Sequence, residues 1–268
     1  MLNNSVKRGC ISRGTWKFLP AAFLVGFLTG CSTIEPLVQD FNIVSVNDEV
    51  LMGQEMQKQV EKEKQIVTDP ALDGLVNRIG QKLLQGLPSR NLLYRFYVVK
   101  DDTPNAFTIP GGAIYVHTGL IKFADNESQI AGVMSHELGH AYLRHPARSI
   151  SREYGLDYIS SILLNRGSAP AKTSPNIIGQ LLGSTFLTRY SREDEFQADD
   201  YGFYLLTKAG YQPDGLLRFF KKLQSIETGS GPSFLSSHPP TPERIARLQA
   251  RISNMNIQTV PAAAKGLY

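Results

Sequence analysis

Cysteine is scarce in this sequence, and both cysteines, Cys10 and Cys31, lie near the N-terminus. Residues 32–268 therefore have no thiol for a disulfide, a thiolate metal ligand or a cysteine nucleophile. This absence excludes a cysteine protease. It also means that any metal in the body of the chain must be held by histidine and carboxylate side chains.

An excess of positive charge is also lacking once the N-terminus is set aside. The formal net charge is +4 at pH 7, but residues 1–30 hold four basic and no acidic side chains, so that 24 basic and 24 acidic residues remain. A surface for nucleic acid would need a local excess of Lys and Arg. The sequence thus predicts no nucleic-acid partner.

The apolar run near the N-terminus is too short for a membrane span. It follows four basic residues and covers only Phe18–Gly30, whereas a spanning helix needs about 20 apolar residues. A basic segment before a short apolar run is typical of a secretory signal peptide. We therefore expect a signal peptide at residues 1–30.

The end of this segment, Leu28-Thr29-Gly30-Cys31, resembles the bacterial lipobox, in which the cysteine becomes the lipid-modified first residue. We expect lipidation of Cys31 and a tether at residues 31–45. Ser32 stands where an aspartate would resemble an inner-membrane retention signal, so the outer membrane is favoured in a Gram-negative host. An ordinary signal peptide, or an uncleaved anchor with an incidental cysteine, is the alternative.

Histidine is rare as well, with five in 268 residues, yet two stand in the motif His136-Glu137-Leu138-Gly139-His140. Because residues four apart leave the same face of a helix, both imidazoles can bind one zinc ion. Glu137 lies about 100° round the helix, where it can hold a metal-bound water. The motif predicts one Zn²⁺ per chain, and a helix that carries these residues by coincidence is the alternative.

The third protein ligand must come from elsewhere. His145 lies five residues after His140, about 140° round a continuous helix, and is a poor ligand. We expect it to be a surface or helix-end histidine, which Pro146 also favours.

A cluster of acids further along the chain offers a carboxylate ligand. Glu195 and Asp199 are four residues apart and share a helix face, which suits Glu195 as a ligand and Asp199 as an acceptor that orients a ligand imidazole. A solvated helix face is the alternative. Spacing alone does not choose among the five acids, which are Glu193, Asp194, Glu195, Asp199 and Asp200.

Strand-like segments precede the zinc motif. Leu92–Val99 is rich in aromatic and β-branched residues, and two shorter pieces, around Phe107 and at Ala113–His117, flank Pro110-Gly111-Gly112. Proline in such a segment implies an edge strand or a bulge. An exposed edge can pair with an extended peptide, so we expect Gly111, Gly112, Ala113 and Ile114 to bind substrate. A plain hairpin is the alternative.

The remaining pattern is helical. We expect a predominantly helical α+β fold, with a metallopeptidase domain at residues 46–254 and a small β-sheet whose edge strand borders the zinc helix. Residues 160–176 suit a lid or a flexible connection equally, and 255–268 a disordered tail. Helices are predicted at Asn47–Val67, Ala71–Leu87, Ile130–Tyr142, Arg148–Leu164, Ile177–Leu206 and Leu216–Ile226. A final helix, capped by Thr241, is predicted to end at Arg251.

Together these motifs resemble the HtpX-like, CAAX-prenyl-protease-type family of zinc metalloendopeptidases, in particular its short periplasmic lipoprotein members. The resemblance covers roughly Asn47 to Ala250 in the family's order. Its pieces are Asn105-Ala106-Phe107, Pro110-Gly111-Gly112, Thr118-Gly119-Leu120-Ile121, the zinc motif, Ser191 to Gly202, Ala209-Gly210-Tyr211 and Ser237 to Ile245.

This resemblance implies a gluzincin-like domain in which His136, His140 and Glu195 bind zinc. It implies that Glu137 is the general base and that Asp199 supports a ligand. His238 matches a position that approaches the metal, either as a fourth, inhibitory ligand or beside the oxyanion. Arg244 matches an arginine that stabilises developing negative charge.

Two departures from the family qualify the resemblance. Its common glutamate just before Ala198-Asp199 is Gln197 here, which is not a ligand position. Neither a tetratricopeptide region after residue 254 nor the membrane helices of the polytopic members are expected.

We therefore expect a zinc metalloendopeptidase that is lipid-anchored through Cys31, faces the periplasm and cleaves extended or misfolded envelope proteins in quality control. One alternative is a latent or chaperone-like envelope assembly factor whose zinc site is closed by His238. A structural metal-binding lipoprotein is the other alternative, and Glu137 argues against it because a structural site needs no base.

Overall fold

The computed structural model describes residues 42–88, 92–153, 190–226 and 233–254. These residues form a predominantly helical α+β structure with a small sheet, which confirms the predicted fold class. The helices are α1 (Val46–Glu63), α2 (Pro70–Leu84), α3 (Thr118–Phe123), α4 (Glu127–Tyr142), α5 (Arg192–Lys208), α6 (Gly215–Ile226), α7 (Ser233–Ser237) and α8 (Pro242–Asn254), and residues 145–153 are also helical. The strands are β1 (Ile66–Val67), β2 (Arg95–Val99), β3 (Ala106–Thr108) and β4 (Ala113–His117).

The sheet has the order β1-β2-β4-β3, with β2 and β4 parallel and the outer pairs antiparallel. Strand β4 is therefore interior: Ile114 pairs with Phe96 of β2 on one side and with Thr108 of β3 on the other. The prediction that Ala113 and Ile114 lie on a free edge is wrong, because their main chains already face neighbours in the sheet. The sheet ends at β1 on one side and at β3 on the other, and β3 packs against α4, as was predicted for the edge strand.

Gly111 and Gly112 form the turn between β3 and β4, with φ of 83° and 92°. Only glycine adopts this backbone region without strain. The two glycines therefore shape the hairpin, and they lie outside its paired strands.

The helices begin at the caps that the sequence offers. Asp69 caps α2 ahead of Pro70, and Asn126 caps α4. The Thr241 hydroxyl accepts from the Arg244 amide in α8, which agrees with the predicted cap. The predicted helix Asn47–Val67 ends earlier, at Glu63, because Ile66 and Val67 join the sheet as β1.

The zinc-motif helix α4 lies at the centre of the fold. It packs against α5, α6, β3 and β4, and almost all its residues are buried. Close contact depends on small residues: a Cβ at Gly139 would meet Ala198 at 3.0 Å, and one at Gly132 would lie 2.4 Å from the Leu216 nitrogen. Helix α4 is therefore tightly enclosed on several sides.

An ion pair joins the first helix to the end of α4. Arg144, with a φ of 59°, donates from Nε to Glu49 Oε2 at 2.5 Å and from Nη2 to the Val44 carbonyl at 2.6 Å. Glu49 Oε1 accepts from the Gly111 amide at 3.4 Å. One buried carboxylate thus ties α1 to both the hairpin turn and the chain that leaves the zinc motif.

Several predicted features lie outside the described residues: the signal peptide, Cys31, most of the tether, the 160–176 stretch and the tail at 255–268. Within the described ranges, no helix combines the length and apolarity that a membrane crossing needs. The predicted domain boundaries stay predictions.

The α4–α6 crossing leads to a stability prediction. We expect Gly132→Ala to lower the free energy of unfolding by about 1–3 kcal/mol, because the new methyl group would overlap the α6 main chain. Gly74→Ala is the matched control, since it lies on an exposed helix face with nothing within 4 Å. It should raise the free energy by about 0.5–1 kcal/mol. Urea unfolding of both variants tests this, and equal effects would contradict the packing described.

Candidate metal centre

Helix α4 presents His136 and His140 side by side. Their Nε2 atoms lie 3.0 Å apart, and both side chains are fully buried. This follows from the four-residue spacing, which places both rings on one helix face. The predicted pair of imidazoles is therefore formed within the protein, away from solvent.

Helix α5 brings two acids to this pair. Ser191 starts the helix with a capping box, in which its side chain accepts from the Asp194 amide and Asp194 accepts from the Ser191 amide. Tyr190 and Ser191 are not helical. The prediction of an unbroken helix over Ile177–Leu206 is thus wrong at this cap.

Of the five candidate acids, Glu195 and Asp199 reach the histidines. Glu195 Oε2 lies 3.4 Å from His136 Nε2, and Oε1 lies 3.6 Å from His140 Nε2. Asp199 Oδ1 lies 2.9 Å from Nδ1 of His136, on the far side of that ring. Glu195 faces the nitrogens that would bind metal, whereas Asp199 supports one imidazole from behind.

His238, which follows α7, completes the group. Its Nδ1 lies 2.9 Å from Glu195 Oε1 and 3.3 Å from His136 Nε2, and the residue is 2% exposed. Ligand atoms of His136, His140, Glu195 and His238 all lie within 4.8 Å of one another.

The chemistry of this donor set fits zinc. Three imidazoles and a carboxylate converge on one buried point, and the lone pairs of neighbouring nitrogens can be satisfied together by a divalent cation. Nitrogen and oxygen donors without thiolate are typical of catalytic zinc sites. Burial alone would lower the pKa of His136, but Asp199 and Glu195 outweigh burial and raise it to about 9. The acids therefore favour positive charge at this point.

Glu137 lies beside the group and is fully buried. Its Oε1 is 3.3 Å from His238 Nε2, yet neither carboxylate oxygen completes a hydrogen bond with a described residue. Burial raises the pKa of Glu137. A buried carboxylate with open lone pairs beside a metal group is the arrangement that a general base requires.

Arg244 contacts both of these acids. Its Nε and Nη2 donate to the two oxygens of Asp199, each at 2.7 Å, while Nη1 lies 2.7 Å from Glu195 Oε2 and donates to the Pro239 carbonyl at 3.0 Å. The guanidinium thus holds both carboxylates, and its predicted role beside developing negative charge stays a prediction. Arg244 keeps the pKa of Asp199 low against the effect of burial.

The burial of His145 was not predicted from the sequence. The residue is fully buried, and its Nδ1 lies 2.8 Å from Nδ1 of His140. The expected surface position is therefore wrong, whereas the alternative, a helix-end position, agrees with the structure: α4 ends at Tyr142, the chain turns at Arg144, and His145 begins the helical stretch 145–153. Pro146 was the available signal, because proline favours the first turn of a new helix.

Tyr190 is the other residue that the sequence did not suggest. Its ring stacks on His140 with centroids 4.0 Å apart and planes at 21°. It therefore covers one face of a metal-facing imidazole.

Comparison with known proteins agrees with this geometry. Residues 70–252 match the model of peptidase family M48. The chain is 29% identical to the beta-barrel assembly-enhancing protease of Escherichia coli (strain K12), over 82% of this chain and 47% of the relative. It is 27% identical to the metalloprotease LoiP of the same strain, over 88% of this chain and 96% of the relative. Metalloprotease YcaL, also of that strain, is 29% identical over 66% of this chain and 68% of the relative.

Coverage of these relatives is uneven. The chain spans just under half the length of the first curated relatives that it matches. LoiP, by contrast, is matched almost throughout.

The contacts of Arg244 predict its effect on stability. We expect Arg244→Gln to lower the free energy of unfolding by about 3–5 kcal/mol, because two buried carboxylates would lose their cation. Arg247→Gln in the same helix is the matched control: Arg247 is 46% exposed and reaches Asp200 at 3.2 Å. Its effect should stay within about 0.5 kcal/mol.

Urea unfolding at a fixed zinc concentration measures both variants. If Arg244→Gln were as mild as the control, Arg244 would not be the partner that holds Glu195 and Asp199 in the core.

Proposed function

Since the chain belongs to peptidase family M48, and is thereby a zinc-dependent peptidase, we propose that it is an endopeptidase of the bacterial cell envelope. We assign zinc to His136, His140 and Glu195. The observation that carries this assignment is the convergence of these three side chains within the protein, with Glu137 beside them.

Zinc bound there would supply a Lewis acid that polarises a peptide carbonyl and activates water near neutral pH. Glu137 takes the proton of the attacking water on a carboxylate oxygen and later delivers it to the leaving amine. Asp199, whose Oδ1 lies 2.9 Å from Nδ1 of His136, would accept the proton of that nitrogen and keep the ring turned towards the metal. Arg244 acts through both acids and holds Glu195 in place.

The substrate is an extended polypeptide. Among the described residues, β3 is the terminal strand that packs against α4, and its three residues are buried. Once this edge is uncovered, an extended chain added to it would run past the metal-facing residues. Gly111 and Gly112 contribute the turn that leads out of β3, and Ala113 and Ile114 support β3 from the interior strand β4. Folded proteins rarely offer a free extended segment, so unfolded or misassembled proteins are preferred.

The cellular setting follows from the N-terminal sequence and the relatives. A signal peptide ending before Cys31, with a lipid on that cysteine, would anchor the chain to the outer membrane with the catalytic residues in the periplasm. One relative is named for enhancing beta-barrel assembly. Removal of misassembled envelope proteins is the corresponding role for this chain.

The base assignment has a direct test. We expect Glu137→Gln to reduce cleavage of casein at least about 100-fold, because the amide cannot accept the water proton. Zinc content should remain at one per chain. The full chain, purified in detergent, is assayed with and without added zinc and chelator.

Glu55→Gln is the control for this substitution, since Glu55 is exposed on α1 and pairs only with Lys58 among the described residues. It should leave cleavage unchanged. Zinc-dependent cleavage that persists in Glu137→Gln would disprove the proposed mechanism.

A latent or chaperone-like assembly factor is the second candidate, and the position of His238 favours it. With Nδ1 among the ligand atoms and Nε2 3.3 Å from Glu137, His238 occupies the place where water and substrate would meet. In this candidate, His238 is a fourth ligand that keeps the peptidase at rest.

Removal of His238 separates an inhibitory ligand from a catalytic group. If His238 closes the site, His238→Ala should raise the casein-cleavage rate several-fold while zinc stays bound by the three other ligands. If His238 lies beside the oxyanion instead, the same variant should lose about 10²–10³-fold in kcat. Fixed-time cleavage assays, with zinc content measured in parallel, distinguish an inhibitory ligand from a group beside the oxyanion.

A further inference from the structure

The two metal-facing imidazoles are supported in different ways. An imidazole that binds metal through Nε2 carries its proton on Nδ1, and this N–H needs an acceptor that sets the orientation of the ring. For His136 the group that faces Nδ1 is the carboxylate of Asp199, with Oδ1 at 2.9 Å. For His140 the atom that faces Nδ1 is Nδ1 of His145, at 2.8 Å.

The protons in this contact can be assigned. If His140 binds zinc through Nε2, its Nδ1–H donates and Nδ1 of His145 must accept. The proton of His145 then lies on Nε2, which is 3.2 Å from Oε1 of Gln197. The amide of Gln197 is oriented in turn, because the same oxygen accepts from Nη2 of Arg148 at 3.1 Å.

We propose that His145 and Gln197 are positioning residues that fix the tautomer and ring orientation of His140 for metal binding. This inference rests on the proposed role of His140 as a zinc ligand. It assigns a function to the buried His145. It also explains why the Gln197 side-chain oxygen, which accepts from Arg148, faces Nε2 of His145.

The turn at Arg144 and contacts of neighbouring side chains fix the position of His145. The left-handed turn at Arg144 brings the residue under His140, and Tyr190 stacks on His140. Arg148 Nη2 donates to Asp194 at 3.1 Å. Asp194, itself the capping acid of α5, thus ties the helix that carries His145 to the helix that carries Glu195.

A neutral acceptor suits this place better than a second carboxylate. Glu137, Glu195 and Asp199 already bring three carboxyl groups to the cluster, and a further buried negative charge needs its own cation. Asp194, whose Oδ1 lies 3.7 Å from Nε2 of His145, has two such cations, since Arg148 and Arg152 contact its oxygens at 3.1 and 2.6 Å. Two hydrogen bonds between neutral groups connect His140 to His145 and His145 to Gln197. Through them, the Gln197 amide fixes the His145 ring, and His145 fixes the His140 ring. It is a separate support from the pair formed by Asp199 and Arg244.

Two substitutions at one position test the inference. His145→Phe keeps a ring of similar size but removes the acceptor, and we expect zinc affinity to fall about 10–100-fold. His145→Asn places an amide oxygen close to the position of Nδ1 and should restore affinity to within about threefold of the parent. Affinity is measured by competition with a chromophoric chelator on the full chain in detergent.

A spectroscopic readout supports these measurements. In the zinc-loaded parent chain, long-range ¹⁵N–¹H spectra of the five histidines should show the proton of His140 on Nδ1 and that of His145 on Nε2. Gln197→Leu should shift the His145 signals and weaken zinc binding, whereas Gln197→Glu, which keeps an acceptor, should bind zinc more tightly than Gln197→Leu. A structural role alone would not set these tautomers.

The outcomes separate the two levels of the proposal. If the parent chain binds no zinc, the metal centre itself is disproved and this inference falls with it. If the parent binds zinc but folded His145→Phe binds it equally well, only the positioning role is overturned. Should His145→Phe fail to fold, a His145 proton found on Nδ1 in the parent spectrum overturns the role, and one on Nε2 with retained affinity in His145→Asn supports it.

Discussion

Two carboxylates, Glu195 and Asp199, lie inside the protein, where an unpaired charge would be strongly unfavourable. Their position is possible only because Arg244 reaches both of them from α8 and His136 faces them from α4. Three helices that are distant in sequence are therefore joined by one charge cluster. A divalent cation adds to this balance, so that metal binding and the packing of α4, α5 and α8 stabilise one another.

The cluster also depends on how closely the helices approach. A Cβ at Gly202 would meet the His136 main chain at 3.0 Å, and one at Gly139 would meet Ala198 at the same distance. With such a contact, the short side chain of Asp199 can reach Nδ1 of His136. The crossing of α4 and α5 thus positions both the apolar core and the metal-facing residues. Larger residues at Gly139 and Gly202 would separate the acids from the imidazoles.

Local patterns predicted the parts of the molecule that depend on local geometry. The helical spacing of His136 and His140 and the cap at Thr241 could be predicted directly, whereas the choice of Glu195 among five acids came from family resemblance and not from spacing. The interior place of β4 could not be read, because its parallel pairing with β2 joins segments that no hairpin connects. The burial of His145 was not predicted because it depends on the positive φ of Arg144. Arginine rarely adopts this backbone conformation, so the sequence gives no signal for the turn.

The contacts of His238 couple access to the metal centre to the contacts of Glu195, Glu137 and Arg244. One imidazole lies against both Glu195, a metal-facing acid, and Glu137, the proposed base. The next residue, Pro239, gives its carbonyl to Arg244. Movement of this segment would therefore expose the base and a coordination position together, while Arg244 would lose an acceptor. Because a buried donor left without a partner is unfavourable by about 1–3 kcal/mol, a substrate that supplied replacement contacts would favour the open arrangement more than solvent alone.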